Sequence, residues 1–371
     1  MKLQSLFDTL SASMVGRDEE VMAILRALVA QEHIFLHGKP GTAKSFLVNN
    51  VAKAVSAEAY RILLTMFSTP EEVFGPNRLT QLKLDNYVRN TERRLPEAHI
   101  GFIDEIFKGS GAILNTLLTV MEERIFDNGG LIQKCPLRCL IAASNEFPET
   151  EQAALYDRFL IRRNVEYVPK HLRRKLHCVA LPPCKANMVT MDELDRANDE
   201  SSKIPFSQRA DDAFLEMLEQ LDVAGLEVSD RRAGKARKVA KAEAWMHGVT
   251  AVEPYHLEPL KDVFWQSLDD IDKVTEIVLR LSNPDEMIVN EWAAYISDTK
   301  DRRIAPDNQR EWSVVAGKLR TILTQTSTMR PSPKLTAIRD ESANLNDQAN
   351  ASLLRQPLEV VRKLRLATSK G

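Results

Sequence analysis

HGKPGTAKS, residues 37–45, follows the apolar run HIFL and precedes SFLVNNVAKAV, whose apolar residues recur at helical spacing. A strand, a glycine-rich turn and a helix in that order form the frame in which backbone N–H groups and a helix N-terminus surround phosphates. The general pattern is G-x-x-x-x-G-K-[ST]. Here Gly38, Lys39, Pro40, Gly41, Thr42, Ala43, Lys44 and Ser45 fill it, with alanine where the second glycine belongs. Glycine is needed only where φ is positive or where a Cβ would strike the ligand. Ala43 directly precedes the helix, so right-handed helical φ/ψ is expected there, with the Lys44 ammonium aimed at the phosphates. Lysine would neutralise the β/γ oxygens, and the Ser45 hydroxyl would ligate Mg²⁺.

Downstream motifs supply the rest of a hydrolytic site. IGFIDEI, residues 100–106, is an apolar strand that ends in paired carboxylates. At the carboxyl end of such a strand Asp104 can hold the hydration shell of Mg²⁺, and Glu105 can polarise an attacking water. LRCLIAASN closes a further apolar run on Asn145, an amide suited to orienting that water or touching the γ-phosphate. ALYDRFLIRR then brings Arg158, Arg162 and Arg163, any of which could stabilise phosphoryl charge in a neighbouring subunit. EVSDRRAGKARKVAKAEAW places Arg231 and Arg232 at a helix start, with Ser229 or Asp230 as its cap.

Around these motifs, candidate strands (residues 33–36, 61–65, 100–104, 137–143 and 164–168) alternate with helical segments such as 45–56 and 113–123. That alternation argues for a parallel sheet with helices on both faces. From about residue 207 the pattern is helical only, with stripes Phe214, Met217, Leu218, Leu221 and Leu257, Leu260, Phe264, Trp265. A second helical region begins near residue 286. Its expected helices are 287–297, 308–326 and, interrupted by Pro357, 353–366; no alternating strand pattern is present there.

Fifty basic and 52 acidic residues leave a formal charge of −2, so no global cationic field points to nucleic acid or anionic membrane. One local exception is the basic run Arg231, Arg232, Lys235, Arg237, Lys238 and Lys241, readable as a solvated helix face or as a nucleic-acid contact. No apolar stretch reaches the length of a membrane span, and the N-terminus lacks a signal-peptide pattern, so a cytoplasmic protein is expected. The four cysteines include no C-x-x-C pair. A zinc site using Cys178, Cys184, His171 and His177 is weighed against reduced structural thiols, and the thiols are preferred.

Taken in order, FLHGKPGTAKS, FSTPEEVFGP, LPEAHIGFIDEIFKGSGAILNTLLTVMEERIFDNGG, AASNEFPE, ALYDRFLIR and VSDRRAGKA resemble the AAA+ ATPases. The resemblance is to the MoxR family and its regulatory-ATPase-variant branch, in which alanine before the lysine is at home. It implies an α/β AAA+ core with a parallel sheet flanked by helices (1–200), an all-α lid (201–285) and a C-terminal helical appendage (286–371). It matches Gly38, Gly41, Lys44 and Ser45 to Walker A, Asp104 and Glu105 to Walker B, Asn145 to sensor 1 and Arg158 to the arginine finger. Pro40, Thr42 and Ala43 complete the ATP-binding loop, with Ser45 and Asp104 as the Mg²⁺ residues. Arg231 best matches sensor 2, with the adjacent Arg232 as the alternative. Also implied are a helix-2 insert starting at FSTPEEVFGPNRLTQ and a hairpin turning at Asn128-Gly129-Gly130, both directed toward the pore of a homo-oligomeric, hexameric ring. The implied activity is ATP hydrolysis driving remodelling of a protein partner, possessing a von Willebrand factor A domain in this family. A nucleic-acid translocase and a nucleotide-gated scaffold are the alternatives.

Overall fold

The computed structural model describes residues 2–354 except 169–171, 173–175, 177–187, 303, 306, 307, 328 and 330–332. The zinc alternative therefore falls outside the described residues. Five strands form the central sheet: β1 (His33–His37), β2 (Ala59–Leu63), β3 (Ile100–Asp104), β4 (Cys139–Ser144) and β5 (Phe159–Asn164). Their order is β2-β3-β4-β1-β5 and every neighbouring pair is parallel. Because strand side chains alternate between faces, Ile34, Leu36, Phe102, Ile141 and Ala143 enter one apolar cluster while Phe35, Ile103, Leu140 and Ala142 enter another. Helices Asp18–Ala30 and Lys44–Ala54 cover the first face, and Gly111–Glu122 the second. Coverage on both sides explains why β1, β3 and β4 read as continuous apolar runs rather than alternating ones.

One strand lies elsewhere than the sequence suggests. The expected strand at 164–168 is instead β5, which starts at Phe159 and passes through the arginine pair. Phe159, Leu160 and Ile161 are buried and fill the slot beside β1, whose outer edge would otherwise be unpaired. Arg162 and Arg163 are tolerated inside the strand because each finds acceptors. Arg162 donates to Trp265 O at 2.6 Å, and Arg163 pairs with Asp262 at 3.1 Å.

Between helix Gly111–Glu122 and β4, strands Ile125–Asn128 and Leu131–Lys134 form the expected antiparallel hairpin. Its turn residues Gly129 and Gly130 both have positive φ (67° and 86°), as a tight primed turn requires. The helical lid comprises Gln208–Val223, Asp230–Met246 and Ile271–Ser282 with a 3₁₀ segment, Pro254–Asp262. Phe214, Met217, Leu221, Leu257, Leu260, Phe264 and Trp265 are all buried there.

The basic run is a partly exposed helix face whose cations are largely paired within the chain. Lys235 and Lys238 pair with the buried Glu32, Arg237 pairs with Asp211 and stacks over Phe206, and Lys241 donates to Ser202 O. Lys235, Lys238 and Lys241 join the lid to its surroundings, while Arg237 binds within the lid.

A separate unit begins at Asn283. Helices Pro284–Asp301, Gln309–Thr326 and Pro333–Leu354 share a core of Trp292, Ile296, Trp312, Val315, Leu319, Ile322, Leu335 and Ile338. The third helix lies upstream of the one expected at 353–366, most of which falls outside the described residues. Its apolar stripe is thin (Leu335, Ile338, Leu345, Ala349) and is broken by the fully buried Ser342, so periodicity alone gives little signal. Among the described residues this unit contains no strand.

Candidate nucleotide site

The loop after β1 is fixed from below. Gly38 N–H donates to Ser144 O at 3.1 Å, and a Cβ on Gly38 would come within 2.4 Å of Val165 O, so only glycine fits. Thr42 Oγ1 donates to Lys39 O at 2.9 Å and closes the loop on itself. Ala43 does not adopt the expected right-handed conformation: it lies in the left-handed region at φ 64°, ψ 24°. The helix begins at Lys44, and a left-handed residue is what turns the chain from loop to helix. Alanine can occupy it because its side chain is exposed, at a backbone cost of roughly 1–2 kcal/mol.

Lys44 also departs from expectation. Its ammonium is turned onto the loop's own carbonyls, Gly38 O at 2.5 Å and Lys39 O at 3.2 Å, rather than outward. Burial lowers its pKa, opposed by the carboxylates of Asp104 and Glu105, which places these three charges in one field.

The sheet register brings the remaining residues together. Asp104 lies opposite Ala143 and His37 opposite Ser144, so β3, β4 and β1 end side by side beneath the loop. Ser45 Oγ donates to Asp104 Oδ2 at 2.8 Å. Glu105, just beyond β3, adopts φ 53°, ψ 46°, a strained conformation of the sort found where function fixes the backbone. With its amide nitrogen turned toward Glu105, Asn145 donates to Oε2 at 2.8 Å and Oε1 at 3.2 Å; the opposite orientation would set oxygen against oxygen. Lys108 Nζ stands 3.2 Å from the same Oε2. A hydroxyl and a carboxylate side by side suit Mg²⁺, which takes oxygen ligands and keeps few from protein. No group of three or more His, Cys, Asp or Glu side chains placed to hold a metal occurs among the described residues.

A cavity of about 440 Å³ adjoins Gly41, Thr42 and Ala43 and is lined by Met14, Val15, Arg17, Phe46 and Tyr167. Its apolar walls and position beside the loop suit a base and ribose. Sequence reasoning missed these residues, because Met14, Val15 and Arg17 lie on the turn before helix Asp18–Ala30 and form no spaced motif of their own. Tyr167 Oη donates to Pro40 O at 3.1 Å and ties the far wall to the loop.

Arg158 and Arg231 lie at the other end of the sheet. Phe159 pairs with His33, the first residue of β1, whereas the phosphate loop follows His37, the last. At about 3.3 Å per residue the strand alone separates the two ends by on the order of 13 Å. Arg158 Nη1 donates to Ala154 O at 2.8 Å. Arg231 pairs with Asp157 and, at 3.5 Å, with Glu122. Its neighbour Arg232 is buried and donates to Leu160 O (2.9 Å), Val263 O (2.8 Å) and Phe159 O (3.0 Å). The structure thus separates the two arginines that the sequence left as alternatives: Arg232 ties the lid to β5, and Arg231 stays at the surface.

Cys135 and Cys139 are buried and free, their thiols pushed up to about 11 and about 12 by burial. They are inert packing residues.

Comparison with known proteins agrees with this geometry. Residues 1–197 match the family described as the MoxR domain in the MoxR-vWA-beta-propeller ternary systems, and residues 213–278 match an AAA lid domain. The uncharacterized protein MJ0812 of Methanocaldococcus jannaschii is 34% identical over 284 residues, 76% of each chain. The chaperone MoxR1 of Mycobacterium tuberculosis is 29% identical over 181 residues, 47% of each chain. A crystal structure from Cytophaga hutchinsonii, assigned as an ATPase, superposes with a TM-score of 0.61 at 21% identity, covering 76% of this chain and 94% of that one. The chain belongs to the MoxR family of AAA+ ATPases.

Proposed function

We propose that the protein is a ring-forming motor that hydrolyses Mg²⁺-ATP at sites shared between subunits and uses the cycle to remodel a protein partner. The observation that carries this reading is the convergence of Lys44, Ser45, Asp104, Glu105 and Asn145 at the carboxyl ends of three adjacent strands. In it the loop N–H groups of residues 38–45 and Lys44 hold the phosphates, once the ammonium exchanges its loop carbonyls for phosphate oxygens. Ser45 and Asp104 would hold Mg²⁺, which supplies charge neutralisation to the β and γ oxygens when bound. Glu105 accepts the proton of the attacking water, and Asn145 fixes the carboxylate and the water. Arg158 and Arg231, a strand length away, act on the nucleotide of the next subunit, and this is the support for an oligomer. Hexamers are the ring size the family suggests.

The partner side of the proposal draws on two features. The matched family is named for systems that include a von Willebrand factor A protein and a β-propeller protein. In addition, Phe67 (83% exposed), Leu131 (66%) and Ile132 (71%) present large apolar side chains on the insert after β2 and on the hairpin. Large apolar side chains exposed on projecting elements suit contact with another polypeptide. The nucleic-acid alternative is weakened, since Lys235, Arg237 and Lys238 of the basic run are paired within the chain.

The test is phosphate release with Mg²⁺-ATP by the purified chain and its Lys44→Ala and Glu105→Gln variants. Loss of nucleotide binding in the first and of turnover with binding retained in the second is expected. The second variant, held with ATP, should also retain its partner in a pull-down. Full turnover by Glu105→Gln would overturn the reading.

A further inference from the structure

The chain just after Glu105 folds back over it. A one-turn 3₁₀ helix, Ile106–Lys108, starts at the left-handed Glu105, and Lys108 N–H donates to Glu105 O at 3.0 Å. The turn is pinned at Phe107, whose carbonyl accepts from Gln152 Nε2 at 2.9 Å and whose ring packs 5.3 Å from that of Phe35. With its backbone so anchored, Lys108 carries its ammonium to within 3.2 Å of Glu105 Oε2. Asn145 donates to the same oxygen and to Oε1. Both oxygens of the carboxylate are therefore already engaged, Oε2 twice.

A general base must receive a water hydrogen at roughly 2.6–3.2 Å. An ammonium on the same oxygen competes for its lone pairs and holds the carboxylate in one rotamer. Asn145 can orient a water while bonding the carboxylate, because an amide has both donor and acceptor atoms. Lys108 has only donors, so at this oxygen it can only compete. We propose that Lys108 is a positioning residue that restrains Glu105 in the resting site, and that its ammonium must leave Oε2 before Glu105 can take a proton from water. This rests on the reading of Glu105 as the base. Lys108 and Glu105 are 41% and 20% exposed, so the pair is screened and its restraint is modest.

Steady-state kinetics of Lys108→Met, Lys108→Arg and Glu105→Gln test this. For Lys108→Met the expected result is a rise in basal kcat of about two- to fivefold, the size of a partly exposed ion pair, with KM for ATP unchanged. Lys108→Arg should restore the wild-type rate. Added salt should speed wild type toward the Lys108→Met rate and leave Lys108→Met unaffected, a response that a purely structural role would not give. An unchanged or lower kcat in Lys108→Met, with Glu105→Gln inactive, would overturn the restraint while sparing the Glu105 assignment. A raised KM would instead place Lys108 on the nucleotide and equally overturn it. Activity retained in Glu105→Gln would remove the reading beneath both.

Discussion

Ser45 and Asp104, 59 residues apart in the chain, meet through a 2.8 Å hydrogen bond from Oγ to Oδ2. Parallel pairing sets Asp104 at the end of β3, and the loop sets Ser45 one residue into its helix. A divalent cation between the two would replace that bond with two oxygen ligands. Asp104→Asn keeps the shape and removes the charge. Its affinity for ATP in the presence of Mg²⁺ should fall about tenfold or more, toward the Mg²⁺-free value, as read by calorimetric titration. Equal Mg²⁺ enhancement in Asp104→Asn and wild type would sink the assignment.

Ala43 sits where glycine is the unstrained residue. Ala43→Gly relieves a left-handed cost of roughly 1–2 kcal/mol, offset in part by the added freedom of glycine in the unfolded chain. The net expectation is a thermal midpoint higher by about 1–3 °C. A lowered midpoint would mean that the alanine methyl makes a contact of its own.

Arg231 and Arg232 should separate cleanly on substitution. Arg232→Ala abandons the buried carbonyls of Leu160, Val263 and Phe159 and should cost about 3 kcal/mol or more of stability. Arg231→Ala touches only screened surface pairs with Asp157 and Glu122, and should leave the melting midpoint within about 1 °C. Its effect belongs in the turnover of the assembled protein. Comparable destabilisation by both would contradict this division.

Much of the site was legible because its residues terminate apolar strands: Asp104 and Asn145 announce themselves as polar groups after IGFI and LIAAS. The sheet class followed for the same reason. Less visible was β5, whose arginines mimic a polar segment until Trp265 O and Asp262 are seen to satisfy them. Backbone conformation was misread at Ala43, since residue type alone favours right-handed φ and the turn geometry overrides it. The base pocket and the Lys108–Glu105 pair depend on folding back across the chain, which no linear spacing reports.

His33 offers a pH signature. Leu140 N–H donates to its Nδ1 at 2.9 Å, and its Nε2 lies 3.0 Å from Met121 O and 2.8 Å from the Arg124 guanidinium. Burial, with the Arg124 guanidinium second, holds its pKa well below the usual histidine value. The unfolded chain therefore takes up a proton near pH 6.5 that the folded chain refuses. Stability from this residue is complete above that pH and is lost as pH falls below it, by up to about 1.4 kcal/mol per unit. His33→Asn should be less stable at pH 8 yet show a shallower decline between pH 6.5 and 5 in chemical denaturation. An unaltered slope would show that His33 titrates alike in both states.

Arg158 lies at the far end of the sheet from the phosphate loop of its own chain. It precedes Phe159, which pairs with the first residue of β1, while Lys44 follows the loop after the last. No rotamer of an arginine on that end reaches its own phosphate loop through the intervening sheet. If it acts on phosphate, it acts on a neighbour's. Arg158→Ala and Lys44→Ala should each be nearly inactive, with the arginine worth roughly 10³–10⁵ in rate where it serves phosphoryl transfer. Mixing the two variants creates some interfaces in which an intact loop from one chain faces an intact arginine from the other. Phosphate release should therefore reappear, peaking near equal proportions and falling away at either extreme. Assembly of the mixture, checked by light scattering, guards against a trivial failure to associate. Mixed oligomers that form yet stay inactive at every ratio would overturn the shared site and return the search for a phosphate-facing arginine to the chain's own cavity.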